Sequence, residues 1–195
     1  MDIKHFRSFG PCMIDEWNLY EWKDEILNRW NDINLYTLTR GINRFKGLLM
    51  ALKEINEQYT NIEDLKTLEH WATTTNELSN ASITRELEIN PESISLKKAL
   101  SWSNAVNASI KSLPEEEILP FAMVKEALEF AHIRADVAIV SSANLGAVLD
   151  EWQRHELIQH TDIVLAQNAG TKSYCIQELL KKGYDPNKVV MCGDA

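Results

Sequence analysis

The sequence predicts an α/β protein in two parts, an all-helical region followed by a parallel sheet covered by helices. Three observations carry this reading. Apolar residues recur with helical spacing from the start to about residue 112, with no run of period two. Pro114 and Pro120 then bracket an acidic run, Glu115 to Glu117, which reads as a linker. From Phe121 onward, amphipathic helical stretches alternate with short, continuous apolar runs, the pattern of a parallel sheet covered on both faces. The expected organisation is a helical domain over residues 1–112, a linker over 113–120 and an α/β core over 121–195.

In chain order, "IDEWNLYEWKDEILNRW" places Trp22, Ile26 and Trp30 on one stripe, with Leu19 close to it. "NLYTLTRGINRFKGL" gathers Arg40, Arg44 and Lys46 around Gly41, and "GLLMALKEINEQY" sets Leu48, Leu49, Leu52 and Ile55 on one helical face. "NPESISLKKALSWSNAVNASIKSL" opens on Asn90 and Pro91, a cap and first-turn pair, and continues through Ile94, Leu96, Leu100, Val106 and Ile110. In the second part, "FAMVKEALEFAH" is a helix, "DVAIVSS" a strand, "NLGAVLDEWQRHEL" a helix and "DIVLAQ" a strand. "TKSYCIQELLKKGY" is a helix from Thr171 with Gly183 beyond its end, and "KVVMCG" is a third strand leading to Asp194.

Composition narrows the function classes. The net charge of −9 and pI near 5.1 argue against broad nucleic-acid binding, which needs gathered Lys and Arg. No apolar run approaches the ~20 residues of a membrane helix, and "MDIKHFRSFG" is no signal peptide. Cys12, Cys175 and Cys192 are odd in number and lack CxxC spacing, so a reducing, cytoplasmic setting is expected rather than a disulfide framework. Cys192 reads as a small buried hydrophobe. Trp17, Trp22, Trp30, Trp71 and Trp102 read as core. His5, His70, His132, His155 and His160 are scattered, without the paired spacing of a metal site.

In parallel α/β sheets the working residues sit at the carboxyl ends of the strands. Here those ends carry Ser141–Ser142, Gln167–Asn168 and Gly193–Asp194. A Ser141 hydroxyl beside a helix start suits an oxyanion such as phosphate. Lys172, opening the next helix, supplies a fixed cation, and Asp194 an oxygen ligand for Mg²⁺. Each has a structural alternative: Ser as a cap or turn residue, Lys as a solvated side chain opposing the helix dipole, Gly-Asp as a turn. In the helical region Arg40, Arg44 and Lys46 are candidates for phosphate or carboxylate binding, against a solvated helix face for Arg44 and Lys46.

The ordered recurrence of these groups at successive strand ends resembles the haloacid dehalogenase (HAD) superfamily, mostly phosphatases, over residues 120–195. "VAIVSSAN" matches its second motif at Ser141, and "GTKSYCIQELLKKGYDP" its third at Lys172. "VVMCGDA" supplies the first acid of its fourth at Asp194, and "PFAMVKEALEFAHI" looks like the segment leading from cap to core. The resemblance implies a HAD-like Rossmannoid sheet, with residues 1–112 as a helical cap that selects substrate through Arg40, Arg44 and Lys46. It implies Mg²⁺-dependent transfer of a phosphoryl group from a small phosphomonoester to water through an aspartyl-phosphate. Ser141 and Lys172 would be the catalytic residues holding phosphoryl oxygens, and Asp194 the metal ligand.

The departures are as informative. The family's first motif is Asp-x-Asp after an apolar strand; here Asp2 follows only Met1, and Asp15 and Glu16 are adjacent and lead into a helix. No nucleophile is assigned within the chain. The expectation is therefore an internal piece of a longer phosphatase-like protein, inactive by itself. In the family's core the nucleophile strand lies between those ending here at Ser141 and Asp194, whose inner edges would otherwise be unpaired. A phosphomutase or dehalogenase on the same core is a related alternative. A non-catalytic module that binds a ligand or partner through its Trp-rich helices is a different one.

Overall fold

The computed structural model describes residues 2–193 and divides into two compact units, Met1–Ile118 and Leu119–Ala195. The described part of the first unit is helical. A short helix, α1 (Asp2–Lys4), passes through a π-helical turn, His5–Phe9, into α2 (Gly10–Trp17). Asn18 ends it in the left-handed conformation, which Asn adopts more readily than most residues. A 3₁₀ turn at Tyr20–Trp22 leads to α3 (Lys23–Asn31), and a second π-helical turn, Asp32–Tyr36, leaves it. Then follow α4 (Arg44–Gln58), α5 (Leu65–Thr74), α6 (Asn80–Ile89) and α7 (Ile94–Lys111).

Polar caps set several of these boundaries. The Asn43 side chain accepts from the Phe45 N–H at 2.9 Å, and Ser79 from the Ser82 N–H at 3.1 Å. The expected start of α7 at Asn90–Pro91 is corrected. The Asn90 N–H donates back to the Glu86 carbonyl at 2.8 Å and closes α6, so the next helix begins only where Ser93 caps the Leu96 N–H at 3.3 Å.

The core of this unit is aromatic. Trp30, Trp71, Trp102 and Phe45 are fully buried, as are Leu48, Leu52 and Leu68. Phe45 meets Trp71 edge-on at 5.1 Å, and Trp30 meets Trp102 edge-on at 6.0 Å, geometries that suit ring quadrupoles. A buried indole N–H must be hydrogen-bonded, and all three are. Trp30 donates to His5 Nδ1 at 3.2 Å, Trp71 to Ser82 Oγ at 3.2 Å and Trp102 to the Phe9 carbonyl at 3.1 Å. Trp17 is buried at the edge of this cluster, while Trp22 stays half-buried against Tyr59. Gly47 permits a close approach: a Cβ there would stand 2.5 Å from Asn34 Oδ1, which belongs to a buried side chain bonded to the Trp30 carbonyl.

The second unit contains α8 (Val124–His132), β1 (Ala138–Val140), α9 (Leu145–Arg154), β2 (Ile163–Leu165) and α10 (Lys172–Leu180). The two strands pair in parallel, Ala138 with Ile163, Ile139 with Val164 and Val140 with Leu165, joined by the α9 crossover. An α/β class is thus present at its smallest, one parallel pair with helices. Its core is correspondingly small: Ile139, Val148 and Ala166, flanked by Leu145, Trp152, Ile158 and Val164.

Three expectations are corrected here. "KVVMCG" forms no strand: Pro186–Lys188 is a 3₁₀ turn, Val189 to Gly193 pair with no strand among the described residues, and Val190 is 82% exposed. Its apolar, β-branched composition is right for a strand, but a strand exists only where another offers its N–H and C=O groups. Cys192 is accordingly exposed rather than buried, whereas Cys175 is buried in α10. The helix expected from Phe121 begins at Val124, leaving Phe121 and Met123 exposed. Asp194 lies outside the described residues.

Candidate functional site

Ser141 directly follows β1, and its N–H donates to the Leu165 carbonyl at 2.8 Å, extending the parallel ladder by one bond. Its Oγ accepts from the Ala143 N–H at 3.1 Å, so the hydroxyl shapes the turn that leads to α9. The turn is tied to the neighbouring strand end, since the Gln167 N–H donates to the Ala143 carbonyl at 2.9 Å. Asn144 caps α9 by accepting from the Gly146 N–H at 2.9 Å. Beyond β2, the 3₁₀ turn Gln167–Ala169 reaches Gly170 at φ +117°, a backbone position that favours glycine. A Cβ there would also stand 2.8 Å from the Tyr174 ring.

Thr171 then caps α10, accepting from the Tyr174 N–H at 3.2 Å, and Lys172 is the first helical residue. Lys172 is exposed, and its ammonium has no hydrogen bond or ion pair among the described residues. Both β1 and β2 therefore end in capped turns at one edge of the sheet, with Ser141 in the first and Lys172 just past the second. The sequence reading starts its helices at Asn144 and Thr171, and the structure makes each of them the cap just before the first helical residue, the role that Asn or Thr takes directly before an apolar-periodic stretch.

Two of the three candidates in the helical unit, Arg44 and Arg40, have other commitments. Arg44 Nη1 donates to Ser103 Oγ at 3.1 Å and to Asn107 Oδ1 at 2.8 Å, and the guanidinium lies 5.2 Å from the centre of the Phe9 ring. Burial without a carboxylate pushes its pKa below the ordinary guanidinium value. Arg44 thus clamps α4 onto α7 and is no solvated face residue. Arg40 Nη1 donates to the Leu35 carbonyl at 3.2 Å, and Lys46 is exposed. A cleft of about 480 Å³ in this unit, lined by Trp17, Tyr20, Trp22, Asn61, Glu63 and Lys98, includes none of the three.

Metal candidates are few. Among the described residues no three His, Cys, Asp or Glu side chains stand close enough together to hold a metal ion as they are. The histidines are nevertheless less scattered than their sequence positions indicate. His132 and His160 approach edge-on at 6.5 Å, and each ring nitrogen Nε2 faces a carboxylate. No helix of the described residues is long and apolar enough to cross a membrane.

No family model, curated protein or solved structure matches the chain.

Proposed function

We propose that the second unit is part of a HAD-like hydrolase core, acting as a Mg²⁺-dependent phosphatase on a small phosphomonoester. The observation that supports it best is the placement of Ser141 and Lys172 after successive parallel strands at one sheet edge, Ser141 in the turn after β1 and Lys172 at the start of α10. In this reading the Ser141 hydroxyl and the Lys172 ammonium hold the oxygens of the transferring phosphoryl group. Lys172 offsets the charge that develops on them, a contribution largest where water is excluded. The nucleophilic aspartate is supplied by residues outside these 195, on a strand lying along the free edge of β1. That placement accords with a β1 that pairs only with β2 among the described residues, and with an apolar Val189–Met191 stretch that forms no strand with them.

Mg²⁺ is inferred from the resemblance, with its expected ligand Asp194 outside the described residues. The small phosphorylated substrate and the cytoplasmic setting are proposed on the same footing. So is the role of residues 1–112 as a cap, to which Arg40 and Lys46 bring charge. The commitment of Arg44 to α7 leaves it a structural part of that cap.

The test is binding of inorganic phosphate to the 195-residue chain, followed by phosphorus NMR. Binding is expected to weaken by about tenfold or more in Lys172→Ala, the loss of one charge-assisted contact of ~1.5–3 kcal/mol. Undiminished binding in both Lys172→Ala and Ser141→Ala would reject the phosphoryl site. Mg²⁺-dependent turnover of a phosphate ester by this chain would reject an external nucleophile. A second reading, ligand binding by the helical unit without catalysis, draws on the aromatic-lined cleft of about 480 Å³. It predicts quenching of tryptophan emission by a ligand with no dependence on Lys172.

A further inference from the structure

The cleft of about 480 Å³ in the helical unit is lined by two connections, residues 17–22 between α2 and α3 and residues 60–63 between α4 and α5, and by Ile94 and Lys98 of α7. Both connections are fixed by bonds of their own. The Leu19 N–H donates to the Ile14 carbonyl at 2.9 Å, and the Tyr20 hydroxyl to Asp15 Oδ1 at 2.9 Å. The Ile62 N–H donates to Asn56 Oδ1 at 2.8 Å, and Asp64, next to Glu63, accepts from Ser95 Oγ at 3.2 Å. The Trp22 and Tyr59 rings meet at 5.8 Å, which packs the first connection against the end of α4. A cleft held in this way is formed before a ligand arrives, so binding does not have to order it.

We infer that this cleft binds a neutral saccharide. Its aromatic surface is accessible, since Tyr20 is 57% exposed and Trp22 half-buried. Asn18, Glu21, Asn61 and Glu63 are exposed, and their side chains make no hydrogen bond or ion pair among the described residues. Amides, carboxylates and the Lys98 ammonium together offer both donors and acceptors, and a sugar hydroxyl is itself both. The C–H face of a sugar ring is apolar and suits an aromatic side chain, which combines an apolar body with a wet edge. Charge disfavours the other small ligands. An anion would face Glu21 and Glu63, and a cation would face Lys98, whose ammonium already lies 6.0 Å from the centre of the Trp17 ring. The volume falls within the ~300–1,000 Å³ of small-molecule sites. The inference rests on the reading of the helical unit as a ligand-binding module and does not involve Ser141 or Lys172.

The experiment titrates the full chain, by calorimetry and tryptophan emission, with glucose, galactose, mannose and N-acetylglucosamine and with their methyl glycosides. Free adenine serves as a flat, non-saccharide probe. Saturable binding of at least one sugar is expected, with a change in emission because Trp17 and Trp22 line the cleft. A methyl glycoside that binds as its parent sugar does points to the end of a glycan, and binding of the parent alone to a free saccharide. Affinity should fall by about tenfold or more in Tyr20→Ala and in Glu63→Gln. Tyr20→Phe breaks the bond to Asp15 but keeps the ring, and is expected to bind as the wild type does. Binding of adenine and of no sugar overturns the saccharide while leaving a ligand-binding cleft; binding of neither overturns both. Wild-type affinity in both Tyr20→Ala and Glu63→Gln would also overturn the inference.

Discussion

A titratable side chain can serve as packing once its surroundings are fixed, and His5, partly buried beside the aromatic core, is the clearest case. Its ring stacks on Phe9 at 4.6 Å and accepts the Trp30 indole N–H at 3.2 Å, which requires the neutral form. Burial pushes its pKa down to about 4, below the ~6.5 of an unfolded chain. A group whose folded pKa is depressed contributes stability above its unfolded pKa and loses it as pH falls through the folded one. The helical unit is therefore expected to lose up to about 3 kcal/mol from this residue between pH ~6.5 and ~4. His5→Gln should flatten the dependence of the urea midpoint on pH between ~6.5 and ~5; an unchanged slope in the variant would refute the assignment. Nothing in "MDIKHFRSFG" announces this, because the partners of His5 include an indole 25 positions away. Arg44 teaches the same lesson: its sequence neighbours read as a basic surface, and its contacts read as a clamp.

At the level of elements, caps decide where helices start, and one cap joins two segments. Ser93 accepts from the Leu96 N–H and donates to Asp64 Oδ2, while Thr67 donates to Asp64 Oδ1 and Ser95 Oγ donates to Oδ2 at 3.2 Å. Burial pushes the Asp64 carboxyl up, but the hydrogen bonds from Ser93, Thr67 and Ser95 outweigh it and hold the pKa below the usual value. Ser93→Ala removes the cap of an 18-residue helix and one of these donors, and is expected to cost about 1–2 kcal/mol in urea unfolding. Ser93→Thr should recover most of that; a Ser93→Ala variant as stable as the wild type would contradict the role. The element types were legible, since Leu48, Leu52 and Ile55 mark α4 by period alone and do lie in the core. The start of α7 was not, because Asn90 satisfies a cap rule at α7 and a stop rule at α6, and the hydrogen bond to Glu86 selects the second.

Across the whole chain, the two units differ in how much they bury. The first holds one continuous aromatic and aliphatic cluster running from Phe9 to Val106, while the second rests on Ile139, Val148 and Ala166 with a few half-buried neighbours. Stability grows with the apolar area removed from water, so residues 1–118 expressed alone are expected to unfold cooperatively with helical circular dichroism. Amide exchange in the full chain should be faster in β1 and β2 than in α4 and α7; slower exchange in the strands would overturn this ranking. The amino-acid sequence by itself determined the helical first region, the change of texture near Pro114 and the apolar runs of β1 and β2. Those follow from local period, and period is a property of neighbours in sequence. Only the tertiary structure decided that Arg44 is a clamp, that His132 and His160 adjoin, and that Val189 to Gly193 remain without a strand. Hydrogen bonding and burial depend on which groups arrive from elsewhere in the chain, and an apolar run becomes a strand only beside a partner.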